Sequence, residues 1–349
     1  MSLSREQRNK IKELLLYEIG KNQFHNHFSI SKFAESHNIS RQSIHGYIRT
    51  LEKEQKIIKG NEQNSYQLID NNYQFSYIAK NLQEDVVWRN DVAPLMGDFP
   101  EIAFRNCSYA FTEMLNNAID HSEGTEIKVI VRINSFCVSF QIIDNGVGIF
   151  NKIANAMDFD EKRFAILELA KGKFTTDPNS HSGEGIFFSA KMSDVFAIFS
   201  DDLVFSSINF REIETEHLLD YKHNNATGTT VYFIMFRDHS TTAKELFDRY
   251  TQAPDDYGFT KTIVPVRLLE YGEQQPVFAS RSQAKRLLAR FERFKHIELD
   301  FSGVKEIGQG FADEIFRVFK IQHPNSHIEA INVDYEVMKM INHVVIGSK

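Results

Sequence analysis

Cysteine is nearly absent: Cys107 and Cys137 are the only two in 349 residues. Two thiols exclude a disulfide framework, and neither sits at metal-ligand spacing, so two ordinary buried thiols in a reducing cytoplasm are expected. No apolar run approaches the roughly 18 residues that a membrane span requires, so no membrane association is expected. The opening MSLSREQRNK is polar and has none of the apolar core of a secretory leader. What is present fits a soluble globular chain, with 42% hydrophobic and 25% charged residues. The length suggests two or three domains, since a single core rarely grows past a few hundred residues. Charge is unevenly spread. Residues 1–69 hold 11 Lys plus Arg against 7 Asp plus Glu, a balance of +4, which leaves −11 for the rest of a chain whose total is −7. That sign asymmetry suggests a front end that meets a polyanion.

Residues 1–69 carry a helical pattern that turns into a hairpin. Ile11, Leu14, Leu15 and Ile19 repeat at helical spacing. A short helix, Lys32 to His37, is followed by a turn at Asn38 and Ile39, and Ser40 is placed to cap the next helix. That helix, Arg41 to Glu54, sets Ile44, Tyr47, Ile48 and Leu51 on one face. Two short strands, Lys56–Lys59 and Ser65–Leu68, flank Gly60–Asn64. The pattern resembles the winged helix-turn-helix superfamily, which implies a double-stranded DNA partner. Ser40, Arg41, Gln42, Ser43, His45 and Arg49 lie where a recognition helix meets DNA, and Lys59 lies on the wing. Arg41 and Gln42 suit guanine and adenine edges; Arg49 and Lys59 suit phosphates. A +4 module binds weakly alone, so a homodimer on paired half-sites is expected. A winged helix that only docks protein is the alternative.

The chain is organised around Glu113 to Gly148. Glu113 and Asn117 are one helical turn apart and share a face. Two alternating strands follow, Glu126–Ile133 and Cys137–Ile143, and then Asp144 leads into Asn145-Gly146-Val147-Gly148, a turn where side chains would block close approach. Further on stand His181-Ser182-Gly183-Glu184-Gly185-Ile186 and Thr227-Gly228-Thr229-Thr230-Val231. In this order the four stretches resemble the GHKL ATPases, the family of histidine-kinase, Hsp90, gyrase and MutL nucleotide sites. The resemblance implies a Bergerat-type α/β sandwich that binds ATP with Mg²⁺. It gives Asn117 to the metal and Glu113 to the attacking water as catalytic base. Asp144 is expected to accept from the adenine amine, with Gly146 and Gly148 letting backbone approach the base. Gly183 and Gly185 open a helix whose free N–H groups suit phosphates. Thr230 is placed in the water network near adenine, and Lys171 or Lys173 reaches for the terminal phosphate. The polar loop Gly172–Ser182 reads as a lid. Two features depart from the family: Asp120 stands where many kinase relatives have a basic residue, and Glu184 sets an acid between the second pair of glycines.

After residue 239, strands alternate with helices: Thr262–Leu269, Arg281–Phe294, His296–Phe301, Phe311–Phe319, Ile328–Val333 and Glu336–Val344. Leu299-Asp300-Phe301-Ser302-Gly303-Val304 with Ile307-Gly308-Gln309-Gly310-Phe311 resembles a STAS-like domain of unknown function. The loop that in anti-sigma antagonists offers a phosphorylatable serine reads Gly308-Gln309-Gly310, so docking or dimerisation is expected there instead.

The expected whole is therefore an α+β multidomain protein: an N-terminal winged helix (1–69), a linker (70–100), a central GHKL α/β sandwich (101–238) and a C-terminal STAS-like α/β domain (239–349). The expected function is an ATP-binding, slowly hydrolysing, DNA-associated switch with a regulatory protein partner. A GHKL serine kinase acting on a partner in trans, or a non-hydrolysing nucleotide sensor, are the alternatives. No helical hairpin with a phosphoacceptor histidine precedes the ATP motifs, which argues against a histidine kinase.

Overall fold

The computed structural model describes residues 4–25, 28–60, 65–174, 183–210, 213–220, 227–251, 259–270 and 278–346. Its centre is a seven-stranded antiparallel sheet in the order β3-β4-β5-β9-β6-β7-β8. The strands are β3 (Asn71–Ile78), β4 (Glu126–Ile133), β5 (Cys137–Asp144), β6 (Val195–Ser200), β7 (Leu203–Phe210), β8 (Ile213–Asp220) and β9 (Thr229–Phe236). β3 is a correction to the sequence reading, which gave these residues to a linker; they pair along their whole length with β4. Tyr73, Phe75 and Tyr77 alternate with polar residues, but most of the strand is exposed and only Phe75 and Tyr77 lean on the core, so the signal is weaker than in the inner strands. The β6–β8 run was also not anticipated.

Side chains alternate across the sheet, and the two faces have different neighbours. Val138, Phe140 and Ile142 of β5, with Val231, Phe233 and Met235 of β9, face the helical layer. There α5 (Glu101–His121) buries Ala103, Cys107, Ala110, Phe111, Met114 and Leu115 at spacings of three and four. Phe111 meets Phe140 at 5.7 Å between ring centroids, and Phe140 stacks on Phe233 at 4.7 Å. Around α5 lie α6 (Ile149–Ala156), α7 (Phe164–Lys171) and α8 (Gly185–Met192). The glycine-rich turn after β5 thus leads straight into α6, and the expected helix Glu161–Lys171 begins at Phe164.

The opposite face offers Cys137, Ile234 and Phe236, and these join the core of the N-terminal unit. That unit consists of α1 (Arg5–His25), α2 (Ile30–His37), α3 (Arg41–Lys53) and a hairpin of β1 (Ile57–Lys59) with β2 (Tyr66–Leu68). Ser40 caps α3, accepting from the Ser43 backbone N–H at 3.2 Å. Leu15 and Ile19 of α1 are buried together with Ile44, Ile48 and Leu51 of α3. Tyr17 meets Phe136 edge-on at 5.4 Å, and Phe136 packs on Phe236 at 4.6 Å. Both cysteines are free and buried, and burial pushes the Cys137 thiol up to about 12.

The C-terminal unit has a parallel three-stranded sheet, β10 (Lys261–Pro265), β11 (His296–Asp300) and β12 (His327–Ile331), with α10 (Arg281–Leu288), α11 (Gln309–Asp313) and α13 (Tyr335–Ile346). Between β11 and β12, α11 continues through a π turn into α12 (Phe319–Gln322). Parallel strands need such helical crossovers. Its apolar core is continuous with that of the helical layer of the central sheet. The predicted helix Arg281–Phe294 breaks at Arg290, a non-glycine residue in the left-handed region with φ 67°.

Candidate nucleotide site

The last turns of α5 and the ends of β5 and β9 converge on a cavity of about 300 Å³. Glu113, Asn117, Asp144, Gly148, Gly183 and Gly185, six positions spread over more than 70 residues of sequence, all line it. Its floor is apolar, formed by Met114, Ile142, Ile153, Ile198 and Val231. An apolar floor with convergent polar groups around it is the usual form of a small-molecule site.

Asp144 ends β5 and is buried, 6% exposed. One of its oxygens, Oδ1, accepts from the Gly146 N–H at 2.9 Å and from the Thr229 N–H at 3.2 Å. Burial raises its carboxyl above the ordinary range, and these backbone donors oppose the rise. The carboxyl is thereby held in one orientation at the cavity wall. Gly146 is required by packing: a Cβ there would sit 2.0 Å from the Ser122 carbonyl oxygen. It does not itself line the cavity; its role is to cap Asp144.

Across the cavity, α8 begins at Gly185, and a Cβ at that position would lie 2.0 Å from Glu113 Oε2. The absence of a side chain therefore brings the start of α8 against the carboxylate of α5. The Gly185 and Ile186 positions on the cavity wall open a helix whose first-turn N–H groups have no intrahelical acceptor, the arrangement that suits phosphate oxygens. Glu184 is set just outside the wall, and its own burial raises its carboxyl, with Lys173 opposing. Tyr109, one turn before Glu113, is raised by burial first and then by Glu113 and Glu184. The acid between the glycines therefore sits among these groups rather than on the cavity surface.

Besides Gly146, two expected positions fall elsewhere. Thr230 is not on the cavity wall; it pairs with Ile143 and Phe199 within the sheet, and its neighbour Thr229 takes the place. The two threonines alternate across the strand, and the register decides which faces inward. Thr229 also accepts from the Ile149 N–H at 3.0 Å, fastening β9 to the start of α6. Lys173 is not on the wall either. Its ammonium lies over the rings of Phe259 and Phe294, 5.4 and 5.1 Å from their centroids. Sequence reading also missed Lys152, one turn into α6, whose ammonium donates to the His121 carbonyl at 2.8 Å and to Glu123 at 3.0 Å beside the cavity. Its only signal was its position one helical turn after Gly148. Most of the loop read as a lid, including His181 and Ser182, lies outside the described residues.

On the N-terminal unit, Arg41, Gln42, Ser43, His45 and Arg49 are exposed on α3, and Lys59 is exposed on β1. The wing tip, residues 61–64, lies outside the described residues. In the C-terminal unit, the Ser302 hydroxyl donates to Asp300 Oδ1 at 2.7 Å.

Residues 105–238 match the family model for histidine kinase-, DNA gyrase B- and HSP90-like ATPases. The central domain is a GHKL ATPase domain. Residues 283–338 match a second model, the STAS-like domain of unknown function DUF4325, so the C-terminal unit is STAS-like. Among curated proteins no significant match is found. Among solved structures, a possible transcriptional regulator, YydK from Bacillus subtilis subsp. subtilis str. 168, is similar over 70% of this chain and 98% of its own. Its identity is 10% and its TM-score 0.16, too low to bear on the fold. Among the described residues no helix is long and apolar enough to cross a membrane.

Proposed function

We propose that this protein is an ATP-driven switch that acts on double-stranded DNA. The observation that carries the reading is the convergence of Glu113, Asn117, Asp144, Gly148, Gly183 and Gly185 on one cavity within a GHKL domain. The buried Asp144 carboxylate accepts from the adenine amine, which guanine cannot offer at that position. The apolar floor takes the base, and the start of α8 takes phosphate oxygens. Glu113, one helical turn from Asn117, accepts a proton from the attacking water.

The donor chemistry fits Mg²⁺. Among the described residues no group of three or more His, Cys, Asp or Glu could cage a metal. The cavity instead offers isolated hard oxygens, with Asn117 the one that would hold the ion. Mg²⁺ keeps several waters and binds through one or two protein oxygens plus phosphate. When bound, it would neutralise charge on the triphosphate.

The N-terminal unit is read as a winged helix-turn-helix that places Arg41, Gln42, Ser43, His45 and Arg49 against DNA, with Ser40 capping the recognition helix and Lys59 on phosphate. The +4 balance of residues 1–69 supports this reading, as does the exposure of those side chains. Paired half-sites on a homodimer would make up for the modest charge. Nucleotide can move DNA affinity only if it binds one arrangement of the units better than another. The C-terminal unit is read as a docking surface for a protein partner in a cytoplasmic assembly.

The test is to incubate the full-length protein with γ-labelled ATP and Mg²⁺, following free phosphate and labelled protein together. Free phosphate that disappears in Glu113→Ala is the expected result. Label on the protein or an added partner would turn the reading to a kinase, and neither signal would leave a sensor. Retardation of duplex DNA by a chain lacking residues 1–69 would overturn the DNA assignment.

A further inference from the structure

The wall of the nucleotide cavity contains one aromatic side chain from the segment that follows α7, Phe174. Its position is set by the C-terminal unit. The Arg290 guanidinium lies over the Phe174 ring, 4.9 Å from the centroid. The same guanidinium donates to the Lys173 carbonyl and, at 3.2 Å, to Glu168 Oε2. Phe174 in turn supports the second glycine pair: a Cβ at Gly183 would lie 2.5 Å from the Phe174 carbonyl carbon and oxygen. Two successive contacts thus run from Arg290 through Phe174 to Gly183, and both Gly183 and Phe174 line the cavity.

The surrounding chemistry fixes Arg290 in place. Lys171 is 1% exposed, and its ammonium donates to Glu168 Oε1 at 2.6 Å and to the Ala289 carbonyl at 2.8 Å, at the end of α10. The Thr262 hydroxyl donates to the Lys171 carbonyl at 2.8 Å. Lys173 and Arg290 both adopt left-handed backbone, φ 55° and 67°, and they are bonded to each other. Non-glycine residues are held there only where the surroundings over-determine them, and such positions cluster at ligand sites and switches.

We propose that Arg290 is a positioning residue of the nucleotide site, through which the STAS-like unit builds one wall of the ATP cavity. Nucleotide occupancy and the seating of residues 286–294 on the central domain are therefore coupled, and the coupling is reciprocal. This rests on the reading of the cavity as an adenine-nucleotide site. A structural filler would stabilise the fold alone; a positioning residue changes nucleotide affinity in a protein that is still folded.

The experiment uses the full-length chain. ATP and ADP affinities with Mg²⁺ are measured by calorimetry for wild type, Arg290→Met and Arg290→Lys, alongside thermal melting without nucleotide. Hydrogen exchange of residues 286–294 is followed in wild type with and without ATP. Arg290→Met keeps the apolar stem but loses both hydrogen bonds, and at least a tenfold loss of affinity is expected. Arg290→Lys should recover part of that loss, because its ammonium still reaches Glu168 but cannot also clasp the Lys173 carbonyl and cover Phe174. ATP should slow exchange in residues 286–294 of wild type. A folded Arg290→Met with affinity within twofold of wild type overturns the proposal. So does unchanged exchange, a result that needs no variant and stands if Arg290→Met fails to fold. Wild type that binds no nucleotide would overturn the cavity reading as well, whereas binding with an indifferent variant overturns this inference alone.

Discussion

The central domain is joined to its neighbours in two chemically different ways. On one face of the sheet, Phe136, Ile234 and Phe236 share an apolar core with Leu15 and Ile19 of the N-terminal unit. On the other side, the junction with the C-terminal unit is apolar at large but is pinned by Glu168, Lys171 and Arg290, all largely or wholly buried. Apolar contact is non-directional and scales with area, so it tolerates small shifts between the units. A buried carboxylate between two cations works only in one geometry, because each charge has given up water. The first junction suits a unit that is carried; the second suits one that must be read.

Breaking the ionic junction should have the largest effect. Lys171→Ala leaves Glu168 buried with one partner fewer and removes the ammonium that donates to the Ala289 carbonyl. A loss of about 3–5 kcal/mol in urea unfolding is expected. A loss under about 1 kcal/mol would mean that the site is wetter than its burial implies.

The apolar junction should yield to a wedge. A Cβ at Gly20 would lie 2.4 Å from the Phe136 ring. Gly20→Val should therefore cost about 1–3 kcal/mol, as overpacking does. Limited proteolysis should then release residues 1–69 without loss of ATP binding. Loss of both together would show that this junction is read as well as carried.

Asp144 sharpens the comparison from inside the domain. Its carboxyl is raised by burial, so the fold favours the protonated form. That contribution is complete below the unfolded carboxylate value and is lost as pH rises through the folded one. Asp144→Asn keeps an acceptor for the Gly146 and Thr229 N–H groups without the charge. It should be more stable than wild type at neutral pH, and melting curves should converge as pH falls through the raised value. The smallest effect belongs to Lys12, whose ion pair with Glu54 is partly exposed. Lys12→Ala should change unfolding free energy by less than about 1 kcal/mol.

The elements with strong periodicity were legible in the sequence. The buried spacing of α5 and the alternation of β4 and β5 follow directly from residue type, as does the Ser40 cap of α3. β3 does carry an alternation, Tyr73, Phe75 and Tyr77 at every second position, but it is short, aromatic and set among polar residues between two domains, and so reads as a linker. Glu113, Asn117 and Asp144, on which chemistry and spacing coincide in the sequence, line one cavity in the structure. Thr229 was missed in favour of Thr230, since two adjacent threonines differ only by register. Lys173 looked like a phosphate ligand from its loop, but the rings that hold it, Phe259 and Phe294, come from the C-terminal unit. No local pattern announces a contact made more than 80 residues away.

Titration calorimetry of ATP and Mg²⁺ into full-length protein, wild type beside Asp144→Asn, reads the grip of the cavity on the nucleotide itself. One saturable site per chain is expected in wild type, and at least tenfold weaker binding in a folded Asp144→Asn, where the amide NH2 replaces the second carboxylate oxygen, the one left to accept from the adenine amine. No heat of binding in wild type, or equal affinity in the two proteins, would contradict the reading of the cavity as an adenine-nucleotide site.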